Sequence, residues 1–381
     1  MRKIRVLYIT ANGGLWGDNK ALLQFLENID NVEPYVVVGN KGLFINELKK
    51  LSIPHAIVKN YFSVWPSLHS FRDIVLFLPR LLRMIFINKL AYFKVKKIVK
   101  CFKPDLIHTN TGPVHIGHQL ALQFKIKHVW YLHEFQILDF NMYPFPSFSS
   151  FTRKLQNYNN YVIANSKAVY RYFGSLPNAR IIYSAMLSKK QKEPIITAKE
   201  KYFLFVGRIS VTKGIKEVVE TFGRFSRFNN EFKLKIVGSG SLVLEKHMKD
   251  YVNSVGLNDR VEFLGFRNEN DIKRLMQHAY ATIMASRNEA LGLVTIEAMA
   301  NGCLVIGRGT AGTAEILQNG KYGLIYHTSE DLLNLMIEIT TTSFDKYLPF
   351  IIQAQDYVFE TFAIEKSINS LYKLYEEIVY F

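Results

Sequence analysis

Short runs of β-branched and aromatic residues alternate with helical stretches along this chain, and partway through the alternation begins afresh. Arg5 to Ile9, Tyr35 to Val38, Leu106 to His108, His128 to His133 and Tyr161 to Ala164 read as strands, with helical periodicity between them, for example over Asn19 to Asn28. Strands separated by helices pair in parallel, because the crossover between parallel neighbours is long enough to hold a helix. The series restarts at Tyr202 to Gly207 and continues through Leu234 to Gly238, Val261 to Gly265, Ala281 to Ala285, Leu304 to Ile306 and Gly323 to Tyr326. Two α/β domains with parallel sheets follow. Ser188 to Pro194 is polar, charged and closed by proline, which marks a linker. Residues 1–188 are thus expected to form the first domain and 189–361 the second, with 362–381 as one further amphipathic helix.

At 381 residues, nearly half of them apolar or aromatic, the chain can bury two cores, which excludes a disordered protein. Its two cysteines, Cys101 and Cys303, lie far apart in apolar settings, which speaks against a disulfide framework or a zinc site and for a reducing cytosol. The first residues read at once as a strand, not as an export signal. The most apolar stretch, Ile74 to Ile87, is interrupted by Arg80 and Arg83 and would be kinked by Pro79, so no membrane span is expected. The formal charge of +16 calls for an acidic partner.

Chemistry concentrates between Arg287 and Gly302. Glu289 falls in a loop between a strand and the helix Val294 to Ala300, and Glu297 falls in the first turns of that helix. A helix start carries unpaired N–H groups and partial positive charge, so the amides from Ala290 to Thr295, those of Gly292, Leu293 and Val294 among them, suit a phosphate. An ionised glutamate only accepts hydrogen bonds, and vicinal sugar hydroxyls offer paired donors to it. Acidic residues are favoured at helix starts in any case, so the pair is decided by its companions. Gly207-Arg208 after a strand and Lys213-Gly214 before a helix place a guanidinium and an ammonium where they can neutralise a diphosphate. Gly238 lies in a second loop whose backbone can approach a ligand closely, and Gly13-Gly14 lies in the first βα turn of the chain, where either a plain turn or a close ligand approach would explain the pair. His133 and Glu134 end an apolar strand, at the carboxyl edge where open α/β sheets bind ligands, and His133 is the candidate on that side. His108 ends the neighbouring strand and reads more readily as structural. His115 and His118 lack further ligands at zinc-like spacing.

Glu289 and Glu297, separated by seven residues and followed by Ala298-Met299-Ala300-Asn301-Gly302, resemble the paired-glutamate signature of the retaining family 4 glycosyltransferases, of the kind that build bacterial surface polysaccharide. The resemblance implies a GT-B fold, two Rossmann-like domains with parallel sheets facing across a cleft. It implies that the second domain holds a nucleoside diphosphate sugar, with Glu289 on hydroxyls of the transferred sugar and Glu297 on the ribose. It further implies that Arg208 and Lys213 meet the diphosphate, that His133 faces sugar and acceptor, that Gly309 to Glu315 closes the donor site and that the last helix crosses back to the first domain. Two departures stand out: Trp16-Gly17-Asp18-Asn19 replaces the family's Gly-Gly-x-Glu ending, and Cys303-Leu304 stands where proline is common. Asn165-Ser166 matches the family near the end of the first domain. The sequence has no Asp-x-Asp run, so neither a metal nor another cofactor is expected.

From Arg72 to Lys103 nine Lys or Arg residues face one acidic residue, interleaved with apolar side chains. Two readings stand: helices lying peripherally on an anionic membrane, which would make the acceptor a lipid-linked saccharide, or a core-facing helix with a solvated basic side. Nucleic acid is not expected, since no recognised binding motif accompanies the charge. The rivals to a transferase are a GT-B nucleotide-sugar epimerase, a phosphorylase, or a non-catalytic membrane-binding or polysaccharide-binding protein.

Overall fold

The computed structural model describes residues 2–68, 70–184 and 187–380. The chain divides into two compact units, Met1–Met186 with Ile364–Phe381, and Leu187–Ala363.

The first unit is built on seven parallel strands: β1 (Ile4–Thr10), β2 (Val32–Val38), β3 (His55–Ile57), β4 (Leu106–Thr109), β5 (Lys127–Leu132), β6 (Asn160–Ala164) and β7 (Ala179–Ile181), in the order β3-β2-β1-β4-β5-β6-β7. The second has six: β8 (Glu200–Val206), β9 (Lys233–Val237), β10 (Val261–Gly265), β11 (Ala279–Met284), β12 (Val305–Arg308) and β13 (Leu324–Tyr326), in the order β10-β9-β8-β11-β12-β13. Every paired neighbour is parallel, which gives two doubly wound, Rossmann-like sheets. In each, the chain leaves the first strand in one direction and returns to its other side, so the order reverses between β1 and β4 and again between β8 and β11. Helices cover the sheets, so the central strands are almost wholly apolar and buried, as β8 shows from Tyr202 to Val206.

The C-terminal helix Ile364–Tyr380 belongs to the first unit. Its Leu371, Leu374, Tyr375 and Ile378 are buried in one core with Tyr8, Leu22 and Phe25. His108 Nδ1 lies 2.6 Å from the Tyr375 hydroxyl, so this histidine anchors the last helix. His115 and His118 pack against Trp130, and His115 also stacks on Phe151. The 188–194 segment is tied down on the second unit: Ser188 caps a short 3-10 turn, Lys192 pairs with Asp356, and the Glu193 carboxylate meets Lys273 and Gln277.

Two expectations change. Pro79 does not kink a helix, because the long helix Phe77–Phe102 begins just before it and proline is tolerated in a first turn. The break falls at Leu76, after a short helix Phe71–Val75 whose first turn Ser70 caps by accepting from the Asp73 amide. Cys101 is exposed rather than set among apolar side chains, since it lies on the outer side of that long helix, while Cys303 is buried and both are free thiols.

Candidate active site

The carboxyl edge of the second sheet brings Lys213 and Glu289 together. Gly207 to Gly214 connects β8 to the helix Ile215–Phe225, and Ala285 to Gly292 connects β11 to the helix Leu293–Ala300, so the two loops flank the point where strand order reverses. Ligands bind at such points because the loops diverge there and leave a crevice. The two loops touch: Gly214 has φ +73, and a side chain on it would run into the Ala285 carbonyl at 2.3 Å. That contact carries Lys213 over the second loop, where its Nζ lies 2.6 Å from Glu289 Oε2, with both side chains partly open to solvent.

The loop that carries Glu289 is braced from behind. The Gly312 amide donates to the Glu289 carbonyl at 2.7 Å, and the Thr310 hydroxyl donates to the Arg287 carbonyl at 2.8 Å, both from the 309–315 segment. The helix then starts at Leu293 after Gly292, whose φ of +96 is a turn that a side chain would strain. Of the expected phosphate-facing amides, Thr295 drops out, because its N–H already donates to the Gly292 carbonyl at 2.9 Å. Leu293 and Val294 open the helix and have no preceding turn to donate to. Glu297 sits one turn further along this helix, half-buried, and Arg208 is exposed directly after β8. Gly238 has φ +133, and a Cβ there would stand 1.9 Å from the Gly207 carbonyl, so its smallness lets two neighbouring loops close on each other.

The carboxyl edge of the first sheet is a separate polar network. His133 follows β5 and stacks on Tyr131 with ring centroids 4.0 Å apart. Its Nε2 lies 3.3 Å from Asn110 Oδ1 and its Nδ1 3.1 Å from Ser184 Oγ. Asn110 donates its amide hydrogen to the Asp18 carbonyl, which turns its oxygen toward the histidine and fixes the tautomer with hydrogen on Nε2. Burial pushes the imidazole down to about 3, so the ring is neutral. Asn165 holds the His133 carbonyl at 2.8 Å, and Ser166 accepts from the Val169 amide as a helix cap. Gly14 lies in a loop held by Asn19, whose amide donates to the Asn12 and Gly14 carbonyls.

Glu134 and Gln136 were not among the expected site residues. The Glu134 carboxylate is buried and accepts from the Thr111 hydroxyl and the Gly112 amide, each at 3.0 Å. Burial, and then the nearby Asp139 and Asp18, push it up to about 8. Gln136 is 1% exposed with φ +70, and neither atom of its amide has a hydrogen-bond partner among the described residues. A run of three polar-ended residues directly after an apolar strand, His133-Glu134 and then Gln136, was the visible sign of this network.

Residues 188–354 match the model of the glycosyl transferases group 1, and residues 48–184 match that of glycosyltransferase family 4. Among curated proteins, an uncharacterised glycosyltransferase of Methanocaldococcus jannaschii is 29% identical over 47% of this chain and 46% of its own length. The N-acetyl-alpha-D-glucosaminyl L-malate synthase of Bacillus anthracis is 25% identical over 52% of the chain and 51% of its own. The matched part of the chain thus spans about half the length of these curated relatives. Among solved structures, Anabaena HepE in complex with UDP superposes with a TM-score of 0.79 over 98% of this chain and 100% of its own, at 20% identity. The same protein with UDP-glucose gives 0.78.

Proposed function

Since the chain belongs to the family 4 glycosyltransferases, of GT-B fold, we propose that it moves a sugar from a nucleoside diphosphate sugar to a hydroxyl of a lipid-linked saccharide, with retention at the anomeric carbon, in the assembly of a polysaccharide or glycolipid. The observation that carries this reading is the Lys213–Glu289 pair, 2.6 Å apart at the switch point of the second sheet and beside the start of the helix Leu293–Ala300. A diphosphate leaving group gains negative charge as the glycosidic bond breaks. Lys213, Arg208 and the amides of Leu293 and Val294 meet that charge more strongly in the transition state than in the ground state. Glu289 then accepts from hydroxyls of the transferred sugar, and Glu297 from the ribose. His133, neutral and held between Asn110 and Ser184, gives a polar edge for sugar or acceptor and does not serve as a base. No side chain is assigned as a covalent nucleophile: the acceptor hydroxyl attacks from the leaving-group side and loses its proton to the departing phosphate. Charge neutralisation rests on the cations and helix amides, and the reaction needs no metal.

Binding and slow hydrolysis of UDP-, GDP- and ADP-sugars test the reading, starting from UDP-glucose because Anabaena HepE was solved with it. One donor should bind and be hydrolysed, with Lys213→Ala and Glu297→Ala both impaired. If no nucleotide sugar binds the wild-type protein, the transferase reading is wrong.

A further inference from the structure

We propose that the helix Phe71–Val75 and the outer face of the helix Phe77–Phe102 form a docking surface for an anionic bilayer. The long helix is seated by Met84, Ala91, Val95 and Val99, of which the last three pack in one core with Leu7, Ile9 and Ile107. On the opposite side Leu78, Leu82 and Phe86 follow one another at four-residue spacing with Phe93 beside them, and they are 59%, 57%, 61% and 50% exposed. Phe71, 81% exposed, and Ile74 extend this face onto the shorter helix. A folded monomer rarely presents so many large apolar side chains in one row, and such rows mark surfaces that bind something.

Charge selects the occupant. Half of the net charge of +16 lies between Arg72 and Lys103. Lys89 sits within the apolar row, Arg83 and Lys94 flank it, and Lys97 and Lys100 carry the outward face to the end of the helix. The single acid, Asp73, pairs with Arg80. A second copy of the same face would set these cations against one another, and a nucleic acid would leave the apolar row without a partner. An anionic bilayer satisfies both, taking the apolar side chains below its headgroups and the cations at them. Among the described residues no helix is long and apolar enough to cross a membrane, so the helix lies on the surface.

The surface is joined to the polar edge of the same unit. Trp65 stacks on Phe77 with centroids 5.9 Å apart and meets Phe145 edge-on at 4.8 Å. Its amide donates to the Tyr143 carbonyl and its indole N–H to the Pro146 carbonyl. The segment from 137 to 146 that these contacts hold follows directly after Glu134 and Gln136. A bilayer on this face therefore presents a lipid-linked saccharide near the end of β5; that last step rests on the transferase reading, whereas the docking does not.

Flotation of the full chain with vesicles tests it, comparing phosphatidylcholine alone with phosphatidylcholine mixed with phosphatidylglycerol. The wild type should bind the mixed vesicles and bind the neutral ones weakly. Leu78→Ser/Leu82→Ser/Phe86→Ser should lower the partition constant at least about tenfold, and Arg83→Glu/Lys94→Glu/Lys97→Glu about a hundredfold. Both sets replace exposed side chains and should leave slow donor hydrolysis in free solution unchanged. Absence of wild-type binding to the mixed vesicles, or equal binding by the variants, overturns the inference; so does a concentration-dependent dimer that the serine variant abolishes. Vesicle binding by a wild type that hydrolyses no donor would leave the docking surface standing and remove the transferase reading.

Discussion

An ammonium 2.6 Å from a carboxylate is a counter-charge already in place before any ligand arrives. A diphosphate competes with Glu289 for Lys213, so the two residues should respond differently to substitution. Lys213→Ala should weaken nucleoside diphosphate affinity and lower turnover by about 10²–10³-fold, the scale seen when one group that meets developing charge is removed. Glu289→Gln frees the lysine, so affinity for the nucleoside diphosphate should hold or rise while turnover falls. Steady-state kinetics alongside nucleotide binding separates these outcomes, and equal loss of affinity in both variants would contradict the assigned roles. Neither change should alter stability by more than about 1 kcal/mol, since the pair is partly solvated. These residues were legible in the sequence because each lies beside a glycine or a helix start that fixes its position locally. The setting of His133 was not: its partners Asn110 and Ser184 lie 23 and 51 residues away, and only the folded sheet brings them to the ring.

At the scale of elements, parallel pairing followed from the alternation of strand and helix, and the sheet edges did not. β3 and β7 are three-residue strands with too few residues to show a period, and β2 is longer than its apolar run because Pro34 lies inside it. Gly238 shows the same limit, since the close approach of its backbone to the Gly207 carbonyl depends on a strand far away in the sequence. Buried groups of the first unit set the response to pH. His108, His115, His118, His128 and His133 are all lowered, chiefly by burial, from an ordinary value of 6.5. The unfolded chain takes up protons near 6.5 and the folded chain does not, so their stabilisation is complete above that pH and is lost as pH falls toward about 3, the value for His128 and His133. Glu134 runs the other way: raised from 4.5 to about 8, it supports the fold fully below 4.5 and loses that contribution as pH rises through 8. Urea midpoints should therefore fall steadily with acid in Glu134→Gln, and this variant should gain on the wild type at about pH 9 relative to pH 5. An unchanged difference between the two proteins across that range would show that Glu134 ionises normally. Tyr375→Phe removes the hydroxyl that meets His108 and should cost about 1–3 kcal/mol, measurable in the same experiment.

At the scale of the whole molecule, the two proposals assign a different ligand to each unit, and that separation can be measured directly. A ligand that binds only the folded form stabilises it by RT ln(1 + [L]/Kd), about 2.7 kcal/mol at a hundredfold excess over Kd. Amide hydrogen exchange locates where that stabilisation falls. With the nucleotide of the preferred donor, protection should rise in the loops 207–214 and 285–293 and in the helix Leu293–Ala300, because the donor groups are backbone amides and side chains of those segments. With anionic vesicles, protection should rise in the helices Phe71–Val75 and Phe77–Phe102, whose outward side chains are otherwise exposed to solvent. The Lys213→Ala chain should lose the first footprint and keep the second, and the serine variant of Leu78, Leu82 and Phe86 should do the reverse. A nucleotide footprint centred on the loop after β1, around Gly13 and Gly14, would move the donor to the first unit. That result would leave the pair at Lys213 and Glu289 as a structural ion pair between two loops, because the same 2.6 Å contact serves either purpose until a phosphate competes for it.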